Sequence, residues 1–265
     1  MSWRSHSSVL FLLTGFGWLA LSLILGLAIL LGLIRGTPLP LWVREIHVHA
    51  ALVGGVMQLL LGGFLAFLNA SAGAATKHHD THPLLYFGMN AGVAGMVIGF
   101  WLNQPIVIGA TGLLVLGSGL ATAYTIWIHA RQMGMLALKQ SWHYGLALLG
   151  LVSGVLCGEF LTFGFMPQSH GVMRLAHIHL IGLGFVVLTI MGVIYQILPT
   201  ILQRPLARPA VTQPVMISMA IGVVLLVGGF LNASVPIELA AGAVLLAGML
   251  LATGHLFHTW YRSTQ

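Results

Sequence analysis

Two short stretches carry residue types able to do chemistry in an otherwise apolar chain. They are Arg44-Glu-Ile-His47-Val-His49 and Arg174-Leu-Ala-His177-Ile-His179, and they lie 130 residues apart. A histidine inside an apolar segment is expensive to bury without a partner, so it marks a ligand, a proton relay or a hydrogen bond to a nearby carbonyl. Four of them in a duplicated pattern favour ligation of a metal, with His47, His49, His177 and His179 as donors. On a helix, residues i and i+2 lie about 200° apart, so each H-x-H presents its two rings to opposite flanks. Gly54 and Gly184 follow the first His of their pairs by seven residues, two turns on and on the same face. A missing side chain there leaves room for a flat macrocycle, or for the close approach of a neighbouring helix. Arg44 and Arg174 lie one turn outward of the first His. There a guanidinium can pair with a haem propionate, or snorkel to the interface.

A second group of histidines, His129, His143, His255 and His258, stands toward the other ends of the apolar segments. His255 and His258 are one turn apart. With His129 and His143 they are candidate ligands of a second, inner haem. The competing reading is an interfacial belt of His, Trp and Tyr. His78, His79 and His82 stand beside Asp80 in a polar tract that reads as a solvated loop with weak affinity for divalent metal. Glu159 is the most interior carboxyl group and a candidate for proton or metal chemistry.

The elements that position these residues are membrane helices. The chain has 265 residues, 58% hydrophobic and only 5% charged. A soluble domain carries about 25% charged residues, so most of this surface must face lipid. The 34 glycines fit helices that approach closely. The few basic residues scatter over segment ends, which excludes a nucleic-acid patch despite a net charge of +6. The single cysteine, Cys157, excludes an internal disulfide and reads as a small buried apolar residue. A span needs about 20 apolar residues. Eight candidates follow, at 9–34, 45–69, 84–102, 105–129, 142–164, 173–202, 211–231 and 235–258. Between 164 and 170 a loop and an interfacial turn are both open. With eight spans the termini share one side. That side carries Arg4, Lys77, Arg131, Lys139, Arg204, Arg208 and Arg262, against Arg35, Arg44 and Arg174 on the other. The bias puts both termini in the cytoplasm, with the H-x-H pairs near the outer face of a bacterial-type inner membrane.

Shifting the sequence by 130 residues also matches Gly54 with Gly184, Gly62 with Gly192, Leu68 with Leu198 and Phe100 with Phe230. With one extra residue Leu120-Ala-Thr122 meets Leu251-Ala-Thr253. The expected architecture is therefore all-α, with eight transmembrane helices as two tandem four-helix repeats, 1–135 and 136–265. Such parallel repeats are related by an axis along the membrane normal.

The run Arg174-Leu-Ala-His-Ile-His-Leu-Ile-Gly-Leu-Gly-Phe-Val-Val-Leu-Thr-Ile-Met-Gly-Val-Ile-Tyr-Gln-Ile-Leu-Pro199 resembles a helix of the haem-copper oxidase superfamily. It is also similar to helices of the NnrS family of haem- and copper-containing membrane proteins. In the oxidases one H-x-H helix ligates two haems. The resemblance implies haem ligation by His177 and His179 and, through the repeat, by His47 and His49. The oxidase catalytic subunit has about twelve spans, and no adjacent His pair lies within a span here to build its copper site. Copper is therefore not supported. An architectural resemblance to haem A synthase rests on eight spans in two halves and on Glu45-Ile-His47. The expected function is binding of one or two haem b groups for electron transfer or for O2 or nitric oxide chemistry. A redox partner protein or quinone would exchange the electrons, and the chain would serve as a subunit of a larger redox complex. A haem-modifying enzyme and a cofactor-free transporter with a His-lined path are the alternatives.

Overall fold

The computed structural model describes residues 7–72, 81–134, 138–165 and 167–263. Among these residues there is no strand, and eight helices are long and apolar enough to cross a membrane. They are α1 (Ser7–Ile34), α2 (Leu41–Ser71), α3 (Pro83–Leu102), α4 (Pro105–Gln132), α5 (Leu138–Phe163), α6 (Pro167–Leu202), α7 (Pro209–Leu231) and α8 (Val235–Ser263). The chain divides into two compact units, Met1–Ala137 and Leu138–Gln265, of four helices each.

The ends follow local chemistry. Pro83 and Pro105 open α3 and α4 at first-turn positions, where the missing N–H is not needed. Asn103 closes α3 in the left-handed region, φ 51°, which its short polar side chain tolerates. Ala233 takes the same conformation between α7 and α8, φ 48°, without that tolerance. Gly164 ends α5 with φ 66°, and a single 3-10 turn, Pro167–Ser169, leads into α6. In the segment left open between loop and turn, the described residues therefore include a left-handed turn at Gly164 and this 3-10 turn. Helices α2 and α6 start earlier than hydropathy alone indicates, because their first turns hold polar residues such as Arg44, Glu45, His170 and Arg174.

In the first unit α3 lies on α4 along a glycine stripe. A Cβ at Gly92 would meet Val115 Cγ2 at 2.6 Å, and one at Gly99 would meet Ile108 Cγ1 at 2.8 Å. In the second unit α7 lies on α8 in the same way. A Cβ at Gly222 would meet Leu245 Cγ at 2.6 Å, and one at Gly229 would meet Glu238 Cγ at 2.8 Å. With little hydrophobic drive between helices in lipid, such close approach and its dispersion contacts hold the pair together. Cys157 is half-buried on α5, not fully buried, because its face of the helix is not covered within the unit.

Candidate metal-ligand histidines

Each H-x-H pair sits just before a change of helical winding. Ala50–Met57 in α2 and Leu180–Val187 in α6 are π-helical, eight residues each. The two segments start 130 residues apart, immediately after His49 and His179. π-Helix is rare and concentrates at functional sites. It has no composition signature, so the sequence carried no sign of it.

The ring of His47 faces α1. Its Nδ1–H donates to the Ser22 carbonyl at 2.7 Å, and the Ser22 hydroxyl donates back to the His47 carbonyl at 2.9 Å. Gly26, one turn along α1, makes room for the ring, since a Cβ there would lie 2.8 Å from His47 Cε1. In the second unit His177 Nδ1–H donates to the Gly154 carbonyl on α5 at 2.7 Å. A Cβ at Gly158 would lie 3.0 Å from His177 Cε1. His49 and His179 turn the other way. Their Nδ1–H groups donate to carbonyls one turn back on their own helices, Glu45 and Leu175, at 2.8 Å each. Their rings lie on Phe100 of α3, centroids 4.7 Å apart, and on Phe230 of α7, 4.9 Å apart. The opposite-flank geometry expected of H-x-H is present in both units.

A carbonyl oxygen only accepts. Nδ1 must therefore carry the proton in all four rings, and in the neutral imidazole the basic lone pair is on Nε2. A carbonyl that accepts from the far ring nitrogen in this way sets the tautomer and orientation of histidines that ligate metals.

Gly54 and Gly184 need correction. They face the same neighbour as the first His of their pair, but neither borders a slot for a macrocycle. Trp18 fills the space opposite Gly54, where a Cβ would meet its Cγ at 2.6 Å. Opposite Gly184 stands Gly150, whose own Cβ would meet the Gly184 carbonyl carbon at 2.8 Å, so the two backbones touch. Both glycines serve close helix contact. Arg44 and Arg174 are exposed near the starts of α2 and α6. Among the described residues no three of His, Cys, Asp and Glu converge in the manner of a metal site, so nothing here assembles a three-ligand copper centre.

The inner histidines divide between the units. His129 is on α4 of the first. His143 on α5 and His255 and His258 on α8 belong to the second. His143 is 7% exposed and lies over Gly192 of α6, so closely that a Cβ there would collide with its Nε2. Beside it the Tyr144 hydroxyl donates to Gln196 Oε1 at 3.0 Å. His255 is 6% exposed, with Nδ1 3.4 Å from the Tyr195 hydroxyl. The Nε2 atoms of His143, His255 and His258 and the Oε2 atom of Glu159 are buried without a hydrogen-bond partner.

Phe11 lies against Gly62 as His143 lies against Gly192, and the residues 130 or 131 positions before Tyr195, His255 and His258 are Leu65, Tyr124 and Trp127. The first unit has a polar cluster of its own, which the sequence reading missed. Gln58, fully buried, exchanges amide hydrogen bonds with Asn90 at 3.1 and 3.3 Å. Trp18 Nε1–H donates to Asn90 Oδ1 at 3.1 Å, and the Thr14 hydroxyl donates to Gln58 Oε1 at 2.7 Å. Single polar residues scattered over α1, α2 and α3 share no motif, so only their convergence reveals them.

Of the polar tract, His78, His79 and Asp80 lie outside the described residues. His82 caps α3 by accepting from the Leu84 amide at 3.3 Å, and Tyr86, four residues on, stacks edge-on against Phe11 with centroids 5.3 Å apart. No family model matches the chain, and no curated protein or solved structure shows significant similarity to it.

Proposed function

We propose that this chain is a haem b-binding integral membrane protein that carries electrons or handles a small gas such as O2 or nitric oxide. One observation carries the reading. All four H-x-H histidines commit Nδ1–H to a backbone carbonyl and so keep Nε2 as the basic nitrogen, ahead of a π-helical segment in both units. Imidazole nitrogen is a standard axial ligand of haem iron, and bound haem supplies one-electron chemistry and, with an open position, gas binding. The chain's own part is to hold the rings. Ser22 and Gly154 orient His47 and His177, Glu45 and Leu175 orient His49 and His179, and Arg44 and Arg174 offer guanidinium groups to propionates at the helix ends.

The same reading takes the chain as a tandem duplication. The glycine contacts at Gly92 and Gly222, the left-handed residues Asn103 and Ala233, and the two π segments all recur at a spacing of 130 residues. It also places both termini in the cytoplasm of a bacterial-type inner membrane, from the excess of basic residues on that side. Electrons would then pass to a partner protein or quinone within a larger complex.

The test is an absorption spectrum of the detergent-purified chain, oxidised and dithionite-reduced, with haem quantified per chain. The expected result is a b-type spectrum whose intensity or band position changes in His47→Ala and in His177→Ala. A haem-free protein, or a spectrum identical in both variants, overturns the ligand assignment.

A further inference from the structure

At the end of the second unit that holds His255, a cleft of about 300 Å³ is lined by Arg208, Val211, Leu250, Leu251, Gly254, His255 and His258. We propose that this cleft binds a phosphate oxyanion, carried by the headgroup of an acidic membrane lipid. The proposal stands apart from the haem reading and survives its failure.

Three observations point to an anion. The first is the orphaned nitrogens. His255, 6% exposed, and His258 both line the cleft, and the Nε2 atom of each is buried without a hydrogen-bond partner. A buried polar atom without a hydrogen bond is costly unless a ligand completes it. The second is charge. Arg208 lines the same cleft, and Arg204 and Arg262 stand at the same end, where Arg204 donates to the Arg262 carbonyl at 3.0 Å and so occupies the C-terminus of α8. The only side-chain carboxyls in the second unit are Glu159 and Glu238. Glu238 is 17 residues before His255 on α8, about 25 Å along the helix. Glu159 is near the end of α5 that leads to α6, again the opposite end. No side-chain carboxylate of this unit is therefore within reach of Arg208 to neutralise it. The third is the start of α7, which presents the positive end of a helix dipole beside Arg208, with Thr212 Oγ1 buried and unpartnered in its first turn.

The cleft selects its ligand by shape as well. The rest of the lining is largely apolar, with Val211, Leu250 and Leu251. It suits an acyl chain rather than a hydrated ion. Arg208 meets the phosphate with a guanidinium, and the His255 and His258 Nε2–H tautomers donate to its remaining oxygens once the rings turn toward the cleft. A metal cation is disfavoured by the same Arg208 that attracts the anion. The first unit lacks the site, because Tyr124 and Trp127 stand in place of the two histidines.

The test uses the full chain in detergent and reads retained lipid by native mass spectrometry and thermal unfolding. Three additions are compared: phosphatidylglycerol, phosphatidylcholine of the same acyl length, and inorganic phosphate. Phosphatidylglycerol is expected to bind and raise the unfolding temperature, and phosphatidylcholine is not. Stabilisation by inorganic phosphate equal to that by phosphatidylglycerol would assign the same site to free phosphate. Arg208→Gln and His258→Asn should each weaken phosphatidylglycerol binding about tenfold, the loss expected for one charge-assisted hydrogen bond. Arg131→Gln removes the same charge from the first unit and should leave binding unchanged. Equal weakening in Arg131→Gln and Arg208→Gln, or no weakening in Arg208→Gln and His258→Asn, overturns the site.

Discussion

Gly26 is the most sensitive lever on the ligand geometry, because it touches His47 without being chemically active itself. In Gly26→Ala the new Cβ lies 2.8 Å from His47 Cε1 and 3.3 Å from Nδ1. Carbon pairs are at their best near 3.5–4.0 Å, so the ring must retreat by roughly 0.7 Å or more. Retreat stretches the 2.7 Å bond from Nδ1 to the Ser22 carbonyl toward about 3.4 Å, past the usual range, and largely forfeits it. Overpacking of this kind costs about 1–3 kcal/mol and the lost hydrogen bond about 1 kcal/mol, against a helix-propensity gain of about 1 kcal/mol for Gly→Ala. The net expectation is a loss of about 1–3 kcal/mol of stability. The internal control is Gly17→Ala on the same helix, where nothing lies within 4 Å of the new Cβ. That variant gains helix propensity without a clash and should be neutral or more stable. The assay is thermal unfolding in detergent together with the reduced-minus-oxidised spectrum. Gly26→Ala should melt below wild type and shift or weaken the haem band, and Gly17→Ala should do neither. Equal melting temperatures and spectra for the two variants would refute the reasoning that α1 positions His47.

The second unit offers the matching experiment. Gly192→Ala drives a methyl group into His143 and to 3.1 Å from Tyr144 Cε1, and should lower stability by about 1–3 kcal/mol in the same melt. Asn90→Ala strands the fully buried Gln58 and should cost about 1–3 kcal/mol, whereas adding Gln58→Leu should recover part of it, since Leu188 and Ala220 stand at the corresponding places of the second unit. Ala233→Gly removes a left-handed alanine, φ 48°, and should raise stability by about 1 kcal/mol, read as a higher unfolding temperature. For topology, a cysteine at Ser234 in a Cys157→Ser background should react with an impermeant maleimide added outside the cell. One at Gly134 should react only after permeabilisation. The reverse pattern would overturn the cytoplasmic placement of the termini.

Much of the architecture was legible because lipid imposes few choices. A chain that is 5% charged has to cross a membrane, and its apolar runs can only be helices or a closed barrel. Pro83, Pro105 and Asn103 then mark ends that the structure places where their backbone chemistry requires. The H-x-H pairs were legible because histidine is rare in apolar runs and because the hexads recur. The face shared by His47 and Gly54 was also readable, but not what covers it. Trp18 is 36 residues before Gly54 on a different helix, and nothing local ties the two together. The inner histidines were visible one by one, but that His143 and His255 both pack against α6 depends on which helices adjoin.

By itself the sequence determined that eight segments are long and apolar enough to cross a bilayer and that four histidines stand in two matched pairs. The tertiary structure alone decided which nitrogen of each histidine is basic. The deciding atoms are the carbonyls of Ser22, Glu45, Gly154 and Leu175, and every residue has a carbonyl, so no residue type announces them. Ser22 and Gly154 are not even at the 130-residue spacing of the histidines but 132 residues apart, a two-residue slip that sequence matching conceals. Only the close approach of α1 to α2 and of α5 to α6, made over Gly26 and Gly158, brings those carbonyls within 2.7 Å of the rings they orient.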